Sequence, residues 1–184
     1  MRSTSPLLSP GPDGGFTVEP LWPESVPAVT ALYRQHLADG TAGLPPEAPD
    51  PDAMRRWIGL LRAQGLPSLV ALDARRRVLG FAWVAPFRFA RDGDPTVETL
   101  VHVQRRHRER GVGASLIGGL LRGCARLGRN HLVAVVPDLG SRAALHLHRK
   151  LGFEPGGRFA VIGHRPDDWV DMLLLRRALQ PAGC

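Results

Sequence analysis

The stretch Arg108-Glu109-Arg110-Gly111-Val112-Gly113-Ala114 stands between an alternating, β-branched run, Thr96 to Val103, and an apolar pattern of helical period that begins near Val112. A strand, a glycine-bearing turn and a helix in that order make an anion site for a physical reason. Small residues at 111, 113 and 114 let a ligand come close to the backbone. The first amides of the helix lack intrahelical partners, and the helix dipole favours negative charge beside them. The expected guest is a phosphate. A dinucleotide fingerprint would need a third glycine in phase, where Leu116 stands, and a Walker loop would need Gly-Lys-Ser or Gly-Lys-Thr, whereas the only lysine is Lys150. Both nucleotide folds are disfavoured.

Upstream of this unit, Phe16 to Pro20 reads as a strand, and Glu24 to Ala38 carries Val26, Val29, Leu32, Tyr33 and Leu37 at helical spacing. Asp50-Pro51 supplies an N-cap and a first-turn proline for a second helix that ends near Gln64-Gly65. Ser68 to Asp73 and Val78 to Pro86 read as an antiparallel hairpin around Ala74-Arg75-Arg76-Arg77. Downstream, the helix from Val112 to Leu127 buries Val112, Leu116, Ile117, Leu120, Leu121, Cys124 and Leu127. It is followed by a strand His131 to Val136, a helix Ser141 to Leu151 stopped by Gly152, and strands Arg158 to Ile162 and Val170 to Leu175. This order argues for a mixed α/β layer fold, with helices on a largely antiparallel sheet.

The chain has 184 residues, which suits one domain, and 43% hydrophobic with 22% charged residues is ordinary globular composition. Residues 1–15, rich in Ser, Pro and Gly, read as a disordered arm, 16–178 as the domain and 179–184 as a tail. No apolar stretch approaches the roughly 20 residues that span a bilayer, and the N-terminus lacks the apolar core of a secretory signal, so a cytoplasmic location is expected. Cys124 and Cys184 form neither a disulfide framework nor a zinc spacing, and the histidines do not cluster with carboxylates, so no metal is expected. The net charge is +7, and all but one of the 24 basic side chains are arginines. Guanidinium groups match phosphate and carboxylate, which suggests an anionic ligand.

Two separated motifs carry a resemblance. Arg108-x-x-Gly111-x-Gly113 resembles the acetyl-coenzyme A signature of the GNAT acyltransferases, and Leu147-His148-Arg149-Lys150-Leu151-Gly152-Phe153 resembles their downstream hallmark. With Thr96-Val97-Glu98 upstream, Leu-His in place of Leu-Tyr, and Trp169-x-Asp171 near the end, the pattern is similar to the phosphinothricin N-acetyltransferase branch. The resemblance covers roughly residues 16–178. It implies the GNAT acyl-CoA N-acyltransferase fold, with a splayed central strand pair, and acetyl-CoA as co-substrate. It also implies a homodimer that acetylates the primary amine of a small amino-acid-like molecule, such as phosphinothricin or methionine sulfoximine, by direct attack in a ternary complex. In antibiotic-resistance terms the role would be detoxification or self-protection.

The resemblance also assigns residues. Val101, His102 and Val103 would pair with the pantetheine arm. The pyrophosphate would rest on Arg108, Glu109, Arg110, Gly111, Val112, Gly113 and Ala114, and Ser141 takes the place of a coenzyme-contacting asparagine. Acetyl transfer to an amine needs a base for the ammonium and an acid for the departing thiolate. The family's carboxylate position falls on Glu98, which shares a strand face with Leu100 and His102. The acid position falls on His148, whose ordinary pKa of about 6.5 suits proton donation near neutral pH. Arg88, Leu44 and His102 fall at acceptor-binding positions, with Arg88 suited to a substrate carboxylate and His102 a reserve base.

Two other readings use the same residues. One is a GNAT enzyme directed at protein N-termini or other amines. A non-enzymatic nucleic-acid or ribosome-binding module would use Arg105, Arg106, Arg108 and Arg110 as a phosphate-contacting patch. The glycines separate that module from the enzyme, because a basic patch has no use for Gly111 and Gly113, whereas a pyrophosphate cradle needs both.

Overall fold

The computed structural model describes residues 9–11, 15–38, 49–87, 91, 94–138, 142–165 and 168–179. Its elements are β1 (Ser9–Pro10), β2 (Phe16–Pro20), α1 (Val26–Ala38), α2 (Pro51–Ala63), β3 (Ser68–Asp73), β4 (Val78–Pro86), β5 (Thr96–Val103), α3 (Val112–Arg126), β6 (His131–Pro137), α4 (Arg142–Lys150), β7 (Glu154–Arg165) and β8 (Asp168–Ala178). The strands join into one eight-stranded sheet of order β1-β2-β3-β4-β5-β6-β8-β7. Every neighbouring pair is antiparallel except β5 and β6, which run parallel.

That one parallel pair follows from the connection between the two strands. Parallel neighbours need a crossover, and α3 supplies it. Glycine makes the crossover tight: Gly119 on α3 lies against Leu69 of β3, where a Cβ would come within 2.6 Å of the leucine side chain. α3 buries Val112, Leu116, Ile117, Leu120, Leu121 and Cys124 as the helical period predicts, but Leu127 follows the last helical residue and is 44% exposed. α1 covers the opposite face. There Tyr33 packs its ring 6.2 Å from Phe81 and 5.7 Å from Trp83, and burial raises its phenol pKa to about 12.

Caps and turns form where the sequence places them. Asp50 accepts a hydrogen bond from the Ala53 amide at 2.6 Å and starts α2, and Asp73 accepts from the amides of Arg75 and Arg77 in the β3–β4 turn. Residues 23–25 form a 3-10 turn rather than the first turn of α1, because Pro27 has no N–H to donate to Pro23 O, four residues back. Ser9–Pro10 lies within the arm expected to be disordered, yet it pairs antiparallel with Thr17 and Val18. The open edge of β2 offers backbone partners whatever the side chains are. The last hairpin extends well past its apolar cores at both ends, since backbone pairing continues through polar residues and register shifts at Pro155/Gly157 and Phe159/Gly163. No helix is long and apolar enough to cross a membrane among the described residues.

Candidate active site

The central strand is paired differently on its two sides. β5 pairs with β4 along nearly its whole length, from Pro86–Val97 to Gly80–Val103. Towards β6 the parallel ladder covers only Thr96–His131 to Thr99–Ala134. β6 meanwhile stays with β8 as far as Pro137–Met172. Beyond Thr99 and Ala134 the two strands therefore part into a wedge. The backbone of Leu100 to Val103 forms one wall and that of Val135 to Pro137 the other. Val101 and Val103, expected to meet a pantetheine arm, lie on this wedge and are half-buried. Peptide groups without a ladder partner are the chemistry that a ligand bearing amides requires.

The wedge leads into the glycine loop. After Val103, Gln104 ties the chain to β4 through its amide N–H to Leu79 O and its side-chain N–H to Val78 O, each at 2.9 Å. Residues 105–107 make a 3-10 turn, and Arg108 Nε donates back to Val103 O at 3.2 Å. Glu109 and Gly111 both adopt left-handed backbone, with φ of 62° and 78°. Gly111 is the N-cap of α3. The first helical hydrogen bond there runs from the Ser115 amide to Gly111 O at 2.9 Å, so the amides of Val112, Gly113 and Ala114 come ahead of the ladder. A Cβ on Gly113 would meet the side chains of Leu147 at 3.0 Å and Val103 at 3.6 Å. Both glycines thus have a structural requirement, and the space they keep is a cradle that larger residues would fill.

The electrostatics match an anion. Arg105, Arg106, Arg108 and Arg110 are exposed around the loop, and the first turn of α3 holds no acidic residue. Arg106 Nε donates to His107 Nε2 at 3.1 Å. Partial burial, then the charges of Arg106 and Arg110, lower the His107 pKa, so the ring serves as an acceptor within the positive field.

His148 belongs to α4, which abuts the start of α3 through Leu147. It is 3% exposed, stacks edge-on against Phe153 with ring centroids 5.0 Å apart, and has Nδ1 2.8 Å from Ala144 O. A carbonyl only accepts, so Nδ1 carries the proton and Nε2 keeps its lone pair. Burial lowers the pKa, the hydrogen bond to Ala144 opposing it. This changes the expectation of an ordinary imidazole ready to donate. At neutral pH the ring rests neutral, and Nε2 is a buried acceptor without a hydrogen-bond partner. Phe153, whose amide donates to His148 O at 3.0 Å, and Arg177, which donates to Leu151 O, hold the end of this helix.

Glu98 is half-buried on β5. It shares a face with Leu100 and His102 as expected, opposite Ala85, Trp83 and Phe81 of β4. His102 is buried, its ring 5.9 Å from that of Phe81, and so lies on the α1 side rather than in the glycine loop. Ser141, Arg88 and Leu44 lie outside the described residues.

Other features have no sequence spacing to announce them. Arg158 of β7 bridges Asp138, just after β6, at 3.3 Å and Asp171 of β8 at 2.5 Å, and the Asp138 amide donates to Asp171 O at 2.7 Å. This clamp holds three strands together at the end where β6 has left β5. Thr99 occupies the last rung before the wedge, and its hydroxyl is buried without a hydrogen-bond partner. One signal for it was present, a lone hydroxyl on a strand face otherwise made of Val97, Val101 and Val103.

The family model described as Acetyltransferase (GNAT) family matches residues 29–153. The chain is 32% identical over 163 residues to the phosphinothricin N-acetyltransferase of Alcaligenes faecalis, covering 89% of this chain and 82% of that one. It is 31% identical over 156 residues to the L-methionine sulfoximine/L-methionine sulfone acetyltransferase of Pseudomonas aeruginosa, covering 85% and 90%. Among solved structures, a GNAT superfamily phosphinothricin acetyltransferase from Sinorhizobium meliloti in complex with AcCoA superposes with a TM-score of 0.83 at 27% identity, over 90% of this chain and 89% of that one.

Proposed function

This chain belongs to the GNAT acetyltransferase family, and from that premise we propose that it acetylates the primary amine of a small amino-acid-like molecule of the phosphinothricin or methionine sulfoximine type. The observation that carries the coenzyme half of this reading is the end of the β5–β6 ladder at Thr99–Ala134, which opens directly towards the left-handed Gly111 and the leading amides of α3. The acceptor half is supported by the two acetyltransferases, of Alcaligenes and Pseudomonas, that share about a third of its residues along most of the chain.

Acetyl-CoA supplies an acyl group already activated as a thioester. The chain's residues divide the remaining work. The peptide groups of Val101 and Val103 that have no ladder partner on β6 bind the arm of the coenzyme, and the loop Arg108 to Ala114 neutralises its pyrophosphate. Glu98, on the α1 side of β5, accepts a proton from the acceptor's ammonium, directly or through a water, leaving a nucleophilic amine. His148, neutral at rest, takes up at Nε2 the proton that the attacking nitrogen sheds as the amide forms, and delivers it to the thiolate as the C–S bond breaks. Negative charge developing beside the ring favours that uptake. On family resemblance, Arg88 and Leu44 are assigned to the acceptor, Arg88 to its carboxylate, and Ser141 to the coenzyme. The buried His102 closes the acceptor side. The same reading, on family resemblance alone, includes a cytoplasmic homodimer with a detoxifying role.

The test is a panel of amines incubated with the protein and acetyl-CoA, read by release of free thiol. Turnover of phosphinothricin or methionine sulfoximine well above that of peptides with free N-termini is the expected result. Preference for a peptide amine would transfer the proposal to protein acetylation.

A further inference from the structure

We infer that Thr99 is a specificity-determining hydroxyl at the acyl end of the coenzyme wedge, donating a hydrogen bond to the carbonyl oxygen of the bound thioester. The inference rests on the coenzyme reading given above.

The argument begins with what surrounds the side chain. Thr99 is 6% exposed, and its Oγ1 has no hydrogen-bond partner. The surroundings explain why. Its cross-strand neighbours are Val84 on β4 and Ala134 on β6, both apolar, and the residues that share its face along β5 are Val97 and Val101. The covering helix α3 presents Leu116, Ile117 and Leu120 as buried residues. A hydroxyl enclosed this way loses its water without gaining a partner, which destabilises the free protein. A valine of nearly the same shape would avoid the loss.

Position gives the second part. Thr99–Ala134 is the last rung of the parallel ladder, so Thr99 sits where the wedge begins. Its face is the one that Val103 shares, and Val103 Cγ2 lies 3.6 Å from where a Cβ on Gly113 would be, in the glycine cradle. A ligand anchored by its phosphates at that cradle and lying down the wedge between β5 and β6 brings its far end to this rung. For acetyl-CoA the far end is the thioester, whose carbonyl oxygen is an acceptor that needs a donor. Among the described residues only two other buried side-chain atoms lack partners. One is His148 Nε2 on α4, next in sequence to the Leu147 that meets the cradle, and the other is Arg129 Nε, just before β6.

The experiment measures binding by titration calorimetry, with acetyl-CoA and CoA compared on the wild type, Thr99→Val and Thr99→Ser, together with the melting temperature of each free protein. Thr99→Val is expected to weaken acetyl-CoA by about tenfold, the equivalent of one hydrogen bond in a water-poor site, and CoA by much less, while the melting temperature holds or rises. Thr99→Ser, which keeps the hydroxyl, is expected to bind both ligands like the wild type. Unchanged acetyl-CoA affinity in the valine variant would overturn the inference. So would an equal loss for both ligands, which would move the contact to the pantetheine arm, or a lowered melting temperature, which would make the hydroxyl structural. A wild type that binds neither ligand would instead defeat the coenzyme reading itself.

Discussion

The Nδ1 of His148 lies 2.8 Å from the carbonyl oxygen of Ala144, one helical turn back on α4, and this contact fixes which ring nitrogen carries the proton. Burial keeps the ring neutral, so its pKa in the folded chain lies below the ordinary 6.5. The unfolded chain then binds more protons than the folded one as the pH falls past about 6.5. Stability is fully present above that value and declines below it, by up to about 1.4 kcal/mol per pH unit until the folded ring also protonates. Chemical denaturation between pH 7.5 and 5 is expected to show this decline, and His148→Gln to flatten most of it. His107, shifted in the same direction, leaves a smaller residue of the effect. A wild-type decline that persists undiminished in the variant would place its origin elsewhere.

Gly111 takes a φ of 78° where the chain enters α3. Gly111→Ala forces a Cβ into that region and is expected to lower stability by about 1 kcal/mol. Gly111→Glu adds a carboxylate to the cradle as well. Acetyl-CoA should raise the melting temperature of the wild type and leave that of Gly111→Glu unmoved. Equal shifts in both would remove the loop from the coenzyme site.

Glu98 and His148 stand on different elements, a strand and a helix, and their proposed roles differ. Glu98→Gln keeps the shape and removes the base, so kcat should fall by about a hundredfold or more with acetyl-CoA affinity preserved. His148→Phe should also lower kcat and reshape the pH dependence of turnover. A rate unaffected by the glutamine would exclude Glu98 as the base.

Cys124 is buried on α3, and burial raises its thiol pKa to about 12. Almost none of it is thiolate at pH 8, so it should stay unlabelled by a thiol reagent in the native protein and react only after denaturation. Peptide mapping by mass spectrometry reads this directly. Labelling of native Cys124 at the rate of a free peptide thiol would show that α3 opens on that time scale.

Periodicity and turn chemistry were enough for most of the fold. The helical spacing of Val112, Leu116, Ile117, Leu120 and Leu121 and the alternation of β5 are local patterns that burial then obeys, and Asp50 caps α2 because a carboxylate before a proline needs no distant partner to do so. The glycine loop was legible for the same reason, since left-handed backbone at Gly111 is a property of a few consecutive residues. Exceptions arose at element ends. Leu127 fits the period but follows the last helical residue of α3, where the chain turns away at the left-handed Gly128 and the side chain is left exposed.

The sequence by itself therefore determined most of the element order, the strand-turn-helix with its glycine loop, and the residue types able to move protons. Only the tertiary structure decided that β5 and β6 stop pairing at Thr99–Ala134, because the length of a ladder between distant strands depends on what each strand pairs with on its other side. It also decided the protonation of His148. The spacing of an imidazole on a helix says nothing of the water around it, and here Phe153 and the packing of α4 have removed that water.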